Sequence, residues 1–279
     1  MRSSWGNLGL WEGGSQSYSD ACRALALRLA QRARLAPGCS VLDVGFGHGD
    51  QLLLWKQQFR VGPITGIEAD AAGVAEARRK LEATSYTDVT LYLDASKPDL
   101  SHERDDCHDH HDLYDSVLAL DCAYHFAPRS AFFAHAMRTL HPGGVLALTD
   151  IVVANGAPLD ALQRFASLCG IPAENLLTQQ AYEKALLDLG FCKVQFENLD
   201  DAVLLGFRHF ALRLLLNPWI EAPRVGRLTV LATAAIMAWL SRKQRVHYLL
   251  ISAERPDILP ATASAEVTAL SSSGTPADA

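Results

Sequence analysis

Basic residues are in short supply: 25 Lys and Arg against 31 Asp and Glu leave the 279-residue chain at −6 near neutral pH. Affinity for nucleic acid is built on clustered cations that neutralise phosphates, so broad contact with DNA or RNA is excluded as a main function. Long apolar runs are missing as well. The longest, Leu228 to Leu240, has thirteen residues, whereas a helix needs about 20 to cross a bilayer. Met1 to Gly14 contains no apolar stretch of the kind that forms a secretory leader. The six cysteines (Cys22, Cys39, Cys107, Cys122, Cys169, Cys192) lack the paired spacing of a zinc site or a disulfide frame. Several sit in apolar runs, where a thiol packs as a small hydrophobe, so reduced cysteines and a cytoplasmic protein are expected.

What is present is an alternation of short apolar runs with helical patterns. Ser40–Val44, Ile64–Glu68, Val89–Asp94, Asp115–Leu120 and Val145–Asp150 have strand length and are mostly apolar, as strands buried on both faces of a parallel sheet are. Helical periodicity fills Asp50–Phe59, Ala69–Thr84 and Ser130–Leu140 between them. A further helix, from Ser17 to Leu35, precedes the first strand and is stopped by Pro37-Gly38. Strand and helix in turn predict right-handed βαβ units and a doubly wound sheet. A helix over Thr178–Leu189, capped by Thr178 and ended by Gly190, leads to a strand at Phe191–Asn198, and a last strand is expected at Val246–Ser252. Between these two strands lie two apolar helical stretches, Ala202–Leu216 and Arg224–Arg242. The expected division is a helical lid over 1–36, a sheet domain over 37–256 with a cap inserted at 202–243, and a tail at 257–279. Its Ala, Ser, Thr and Pro can bury too little apolar surface to fold, so the tail is expected to be disordered.

The strongest motif is Val41-Leu42-Asp43-Val44-Gly45-Phe46-Gly47-His48-Gly49: a strand, a glycine loop, then a helix. Glycines let the backbone turn sharply and approach a ligand with no Cβ in the way. A dinucleotide loop has G-x-G-x-x-G facing a pyrophosphate. Here the spacing is G-x-G-x-G, and Asp43 would sit awkwardly beside a pyrophosphate but could orient the loop around a cationic aminoacyl ligand. A nicotinamide dinucleotide is therefore not the expected ligand.

Asp43 to Gly49 resembles the first motif of the class I S-adenosylmethionine-dependent methyltransferases, and further motifs follow in that family's order. Glu68, ending Ile64–Glu68, matches the acidic residue that holds the ribose hydroxyls; a carboxylate can accept both hydrogen bonds. Asp94-Ala95 matches the pair that reads adenine. Leu120-Asp121 and the following Cys122-Ala123-Tyr124-His125-Phe126 resemble the post-strand motif that faces the substrate, and Leu140-His141-Pro142-Gly143-Gly144 resembles the L-x-P-G-G turn before the fifth strand. The likeness runs from about Ser17 to Pro256 and is greatest to enzymes acting on natural products, quinones or tocopherols. It implies a Rossmann-like sheet of order 3-2-1-4-5-7-6 with the last strand antiparallel. It also implies S-adenosylmethionine held by Asp43, Gly45, Gly47, Gly49, Glu68, Asp94, Ala95, Leu120 and Asp121. The expected reaction is methyl transfer to an oxygen, nitrogen or carbon of a small lipophilic or aromatic acceptor. Two features depart from the family: Ser101–Asp112 is long and highly charged, and Asp121 stands where Glu is common.

Catalytic candidates are His125, Asp150 and Tyr124. His is the commonest general base, and the ends of the fourth and fifth strands should bring His125 and Asp150 side by side, Asp150 orienting the imidazole and Tyr124 serving as substitute or helper. His102, Cys107, His108, His110 and His111 resemble metal ligands in type, but a mobile polar loop offers no fixed frame, so no metal is expected. The cap, with Phe207, Phe210, Leu214, Trp219, Met237 and Trp239 among flanking cations, suits an apolar cover over the acceptor. Contact with a membrane surface stays open beside it. A non-methylating rearrangement on the same fold and a non-catalytic partner subunit are the rival readings; oligomeric state is left undetermined.

Overall fold

The computed structural model describes residues 2–12, 17–94, 113–217, 220, 222–223, 226–241 and 245–257. Ala95, the His-rich loop 101–112, Trp219 and the tail beyond Asp257 lie outside the described residues.

Seven strands form one sheet: β1 (Val41–Val44), β2 (Ile64–Glu68), β3 (Val89–Leu93), β4 (Tyr114–Ala119), β5 (Leu140–Val153), β6 (Cys192–Asn198) and β7 (Val246–Glu254). Their order is β3-β2-β1-β4-β5-β7-β6, as expected. The first five run parallel, and β7 is antiparallel to both β5 and β6. Reversal of order beside β1 opens a crevice at the carboxyl ends of β1 and β4, the usual place for a ligand in such sheets.

Helix α1 (Tyr18–Arg32) begins where Ser17 and Asp20 satisfy each other's exposed backbone N–H groups in a reciprocal cap. It packs Cys22, Leu25, Ala26 and Leu29 against one face of the sheet. The helix after the glycine loop is α2 (Asp50–Leu54), which widens into a π-helical turn over Trp55–Phe59 and is closed by Arg60 in a left-handed conformation. Asp70 caps α3 (Ala71–Glu82) through the N–H groups of Ala72 and Gly73. Helices α4 (Arg129–Thr139) and α6 (Gln179–Asp188) cover the second face, with Phe132, Phe133, Tyr182 and Leu186 buried among Leu146, Leu148 and Ile251. Between them α5 (Leu159–Leu168) was not anticipated. The cap is formed by α7 (Gly206–Leu216) and α8 (Arg227–Ser241), both close to their expected places.

Strand β5 is longer than the expected Val145–Asp150 at each end: Leu140 pairs with Tyr114 of β4, and Val145–Val153 pair continuously with Glu254–Val246 of β7. Its alternation is decisive for the site. Val145, Ala147, Ile151 and Val153 belong to the α1 and cap face, whereas Leu146, Leu148 and Val152 belong to the α4 and α6 face. No helix among the described residues is long and apolar enough to cross a membrane.

Candidate active site at the carboxyl ends of the strands

The glycine loop leaves β1 with Gly45, Gly47 and Gly49 all at positive φ, of 80°, 59° and 85°. The Gly45 N–H donates to Ile67 O at 2.7 Å, tying the loop to β2. A Cβ on Gly45 would stand 2.5 Å from Cys122 Sγ, so glycine is needed there for packing. A Cβ on Gly47 would meet nothing within 4 Å; there the bare backbone faces open space. That space is a cavity of about 160 Å³ lined by Gly45, Phe46, Gly47, His48, Leu120, Asp121 and Cys122. Across from them lie Ser4, Trp5, Gly6 and Asn7, a Trp- and Gly-bearing segment to which the sequence reading gave no site role.

Glu68 ends β2 and accepts from the N–H of Gly47 at 2.6 Å and from those of Ala69 and Asp70 at 2.8 and 3.0 Å. Its carboxylate thus holds glycine loop and strand end together. Asp94 follows β3 with its N–H on Glu68 O at 2.9 Å, so the two acids sit at adjacent strand ends. Asp43 is different. The expectation that it meets the cofactor is corrected, because it is 0% exposed and its carboxylate accepts from Gln51 Nε2 at 2.8 Å and Trp55 Nε1 at 2.7 Å. It braces β1 against the helix behind the loop, and only Gln51 of that group reaches the cavity wall. Burial raises the Asp43 carboxyl to about 6.

A second cavity, of about 480 Å³, shares Gly6, Asn7 and Asp121 with the first. Tyr124 and His125 stand in its wall, Leu162, Ala166 and Cys169 come from α5 and the turn after it, and Phe207, Val230, Ile236 and Met237 come from the cap. Most of the lining is apolar, as in sites for small organic ligands. Of the aromatic and apolar cap residues expected here, Phe207 and Met237 line the cavity. Phe210 instead stacks on Trp11 with ring centroids 4.6 Å apart, Leu214 is buried, and Trp239 lies under the Arg245 guanidinium.

Asp121 joins the two cavities. It adopts φ of 56°, a left-handed conformation uncommon outside glycine. Its N–H donates to Thr149 Oγ1 at 2.8 Å, and its carboxylate accepts from the Leu8 N–H at 2.7 Å, the Tyr248 hydroxyl at 2.8 Å and the Tyr124 hydroxyl at 3.2 Å. Burial lifts this carboxyl too, to about 6. Tyr124 is held well above the usual phenol range by burial and by the Asp121 charge, so it stays protonated and acts as a donor.

The structure separates His125 from its expected orienter. Asp150 lies on β5 beside Ile151, and alternation sends the two to opposite faces: Ile151 lines the large cavity, whereas Asp150 is buried on the α4 and α6 face. There it accepts from Arg129 Nη1 at 2.7 Å, the Tyr182 hydroxyl at 2.9 Å and the Ile151 N–H at 2.7 Å. His125 instead has Nδ1 3.2 Å from Gly170 O, beyond the end of α5. A carbonyl oxygen can only accept, so Nδ1 carries the hydrogen and the neutral ring keeps its lone pair on Nε2. The turn Ala123–His125 is also anchored from below. Arg129 Nη2 donates to Asn175 O at 2.9 Å, and Asn175 Nδ2 donates to Tyr124 O at 3.0 Å and Phe126 O at 2.6 Å. Arg129, Asn175 and Gly170 were not singled out in the sequence; a buried arginine leaves no periodic signal.

The residues fit S-adenosylmethionine: a glycine loop with open space before Gly47, two acids at the next strand ends, and a wall from Leu120 to Cys122. Comparison with known proteins agrees. A family model described as a methyltransferase domain matches residues 15–195. Erythromycin 3''-O-methyltransferase of Saccharopolyspora erythraea is 34% identical over 217 residues, covering 75% of this chain and 69% of its own. Among solved structures, a putative sarcosine dimethylglycine methyltransferase from Galdieria sulphuraria superposes with a TM-score of 0.73 at 16% identity, covering 92% of this chain and 94% of that one. The cyclase SpnF does so with a TM-score of 0.66 at 20% identity, covering 90% and 87%. At such identities the two structures speak for the fold alone.

Proposed function

Because the chain belongs to the class I S-adenosylmethionine-dependent methyltransferases acting on small molecules, we propose that it methylates a hydroxyl oxygen of a lipophilic acceptor in natural-product metabolism. The observation that carries this is the apolar cavity of about 480 Å³ that meets the glycine-loop cavity at Asp121, with Tyr124 and His125 in its wall. The O-methyltransferase activity in the name of the Saccharopolyspora relative supports oxygen as the acceptor atom.

Bound S-adenosylmethionine supplies a methyl group made electrophilic by its sulfonium sulfur. Gly45 and Gly47 offer backbone without side chains in the cavity wall, whereas Gly49, expected to join them, is buried where an added Cβ would strike Ala77 at 2.6 Å and so packs the loop on α3. Glu68 and Asp94 offer carboxylates to the ribose and adenine side, and Leu120 and Asp121 close the wall. The apolar lining keeps water from the acceptor and holds it in place, and orientation of reacting groups supplies much of such a rate. His125 takes the hydroxyl proton on Nε2, while Gly170 O holds Nδ1–H and so selects the useful tautomer. Tyr124, a donor to Asp121, shapes the turn that carries the imidazole.

Incubating the enzyme with methyl-labelled S-adenosylmethionine and an extract rich in hydroxylated lipophilic metabolites should place label on an ether oxygen. General-base catalysis contributes about 10²–10⁴-fold. His125→Ala should therefore lower kcat by that order and leave S-adenosylmethionine affinity unchanged. Unlabelled rearranged product would favour a cyclase-type reaction, and full kcat in His125→Ala would remove the base assignment.

A further inference from the structure

The cap carries a surface that the fold leaves uncovered. Along α7, Phe207, Phe210, Ala211 and Leu214 are buried, whereas Leu212, Leu215 and Leu216, spaced three and four apart on the opposite side, are 47%, 59% and 87% exposed. Leu228, near the start of α8, is 83% exposed. Arg227 Nη1 donates to Leu214 O at 3.0 Å, which brings the start of α8 beside the end of α7 and so draws Leu215, Leu216 and Leu228 to one end of the helix pair. Scattered single leucines on a surface are ordinary, but a cluster at the tip of a helical hairpin marks a contact.

Charge says what kind of contact. Between Leu205 and Arg245 the sequence has seven Arg and Lys and one acidic residue, Glu221, in a chain whose net charge is −6. At the leucine end the described cations are Arg213 and Arg227, in the last turn of α7 and at the start of α8, while Arg208 in the first turn of α7 and Arg245 after α8 stand at the other end of the pair. Exposed leucines bordered by cations match the headgroup region of an anionic bilayer, where apolar side chains enter the acyl boundary and cations meet lipid phosphates. The same α8 lines the large cavity with Val230, Thr233, Ile236 and Met237, so docking through this end would set the cavity beside the lipid.

We propose that the α7–α8 hairpin docks the enzyme reversibly on an anionic membrane surface, from which a lipophilic acceptor enters the cavity between cap and sheet. The second half of this statement rests on the acceptor site proposed above; the docking itself does not.

The test is co-sedimentation of the full chain with vesicles of phosphatidylcholine alone and with about one third phosphatidylglycerol. Binding should appear only with the anionic vesicles and weaken as salt rises, about fivefold in affinity for each cation engaged. The triple variant Leu215→Ser, Leu216→Ser, Leu228→Ser should lose vesicle binding while keeping its circular dichroism spectrum and its affinity for S-adenosylmethionine, because all three side chains are exposed. Absence of sedimentation with either vesicle overturns the proposal, as does binding that the triple variant retains. A parent dimer that the triple variant dissolves, with no vesicle binding, would likewise overturn it by assigning the surface to a second copy of the chain. None of these readouts needs the acceptor, so failure of docking is distinguishable from failure of the O-methylation proposal.

Discussion

Arg129 and Asp150 form an ion pair at 2.7 Å with side chains 2% and 0% exposed. Removing one partner of such a pair strands a buried charge, which costs about 3–5 kcal/mol, whereas replacing both with apolar groups is often nearly neutral. Asp150→Ala should therefore lower unfolding free energy in urea by about that amount. The double variant Asp150→Leu with Arg129→Met should cost much less than the sum of the single changes. Because Arg129 also holds Asn175 below Tyr124 and His125, the double variant should still lose kcat even where stability is recovered. Unchanged kcat would confine the pair to a purely structural role.

The glycine loop makes a contrast between two positions. A Cβ at Gly45 would strike Cys122 Sγ, but one at Gly47 would enter open space. Gly47→Val should thus fold, at the cost of a valine in a left-handed conformation, and should abolish S-adenosylmethionine binding in calorimetry. Gly45→Val should lower thermal stability first. Parent-like affinity in Gly47→Val would put the cofactor elsewhere.

Asp43 makes stability depend on pH in a defined direction. Its folded carboxyl, raised by burial from 3.8 to about 6, binds a proton more tightly than in the unfolded chain. From about pH 4 to 7 the native state therefore holds more protons, and stability falls as pH rises through that window and levels off about one unit above the folded pKa. Between pH 5 and 7.5 this group alone should cost about 1 kcal/mol. Urea unfolding of Asp43→Asn should show a pH dependence shallower by that amount, and an identical dependence would mean that Asp43 does not titrate with the fold.

Cap residues should separate by whether they face the large cavity. Ile236 lines it, whereas Trp239 is half exposed beneath Arg245 and is not in its wall. Removing methylene groups from a ligand-facing wall costs about 1–3 kcal/mol. Ile236→Ala should accordingly cut kcat/KM for the acceptor about 10-fold or more, and Trp239→Ala should leave it unchanged. The reverse order would relocate the acceptor.

Local chemistry made much of the molecule legible. The apolar runs of β1 to β5, the cap Ser17 of α1 and the glycines from Gly45 to Gly49 speak through neighbours a few residues away. Periodicity, capping and turn geometry are read at that range. Pattern led to a doubly wound sheet, and the resemblance carried by the ordered motifs implied the strand order and S-adenosylmethionine. The π-helical turn at Trp55–Phe59 and the full length of β5 were less visible, since pairing with β7, about a hundred residues later, sets where β5 ends.

Which side chains meet was decided by the tertiary structure. Asp150 looked like a partner for His125 because their strands are neighbours, yet one step of β alternation turned it away toward Arg129. The orienting oxygen came from Gly170, 45 residues from His125. Asp43 belonged to the motif but went to Gln51 and Trp55, and Leu8 reached Asp121 across 113 residues. Composition and spacing determine which elements form and which chemistry the chain carries. The face each side chain occupies, and the partner it finds there, depend on packing between segments distant in sequence, because a buried polar group is stabilised only by whatever donor or acceptor the fold brings within reach.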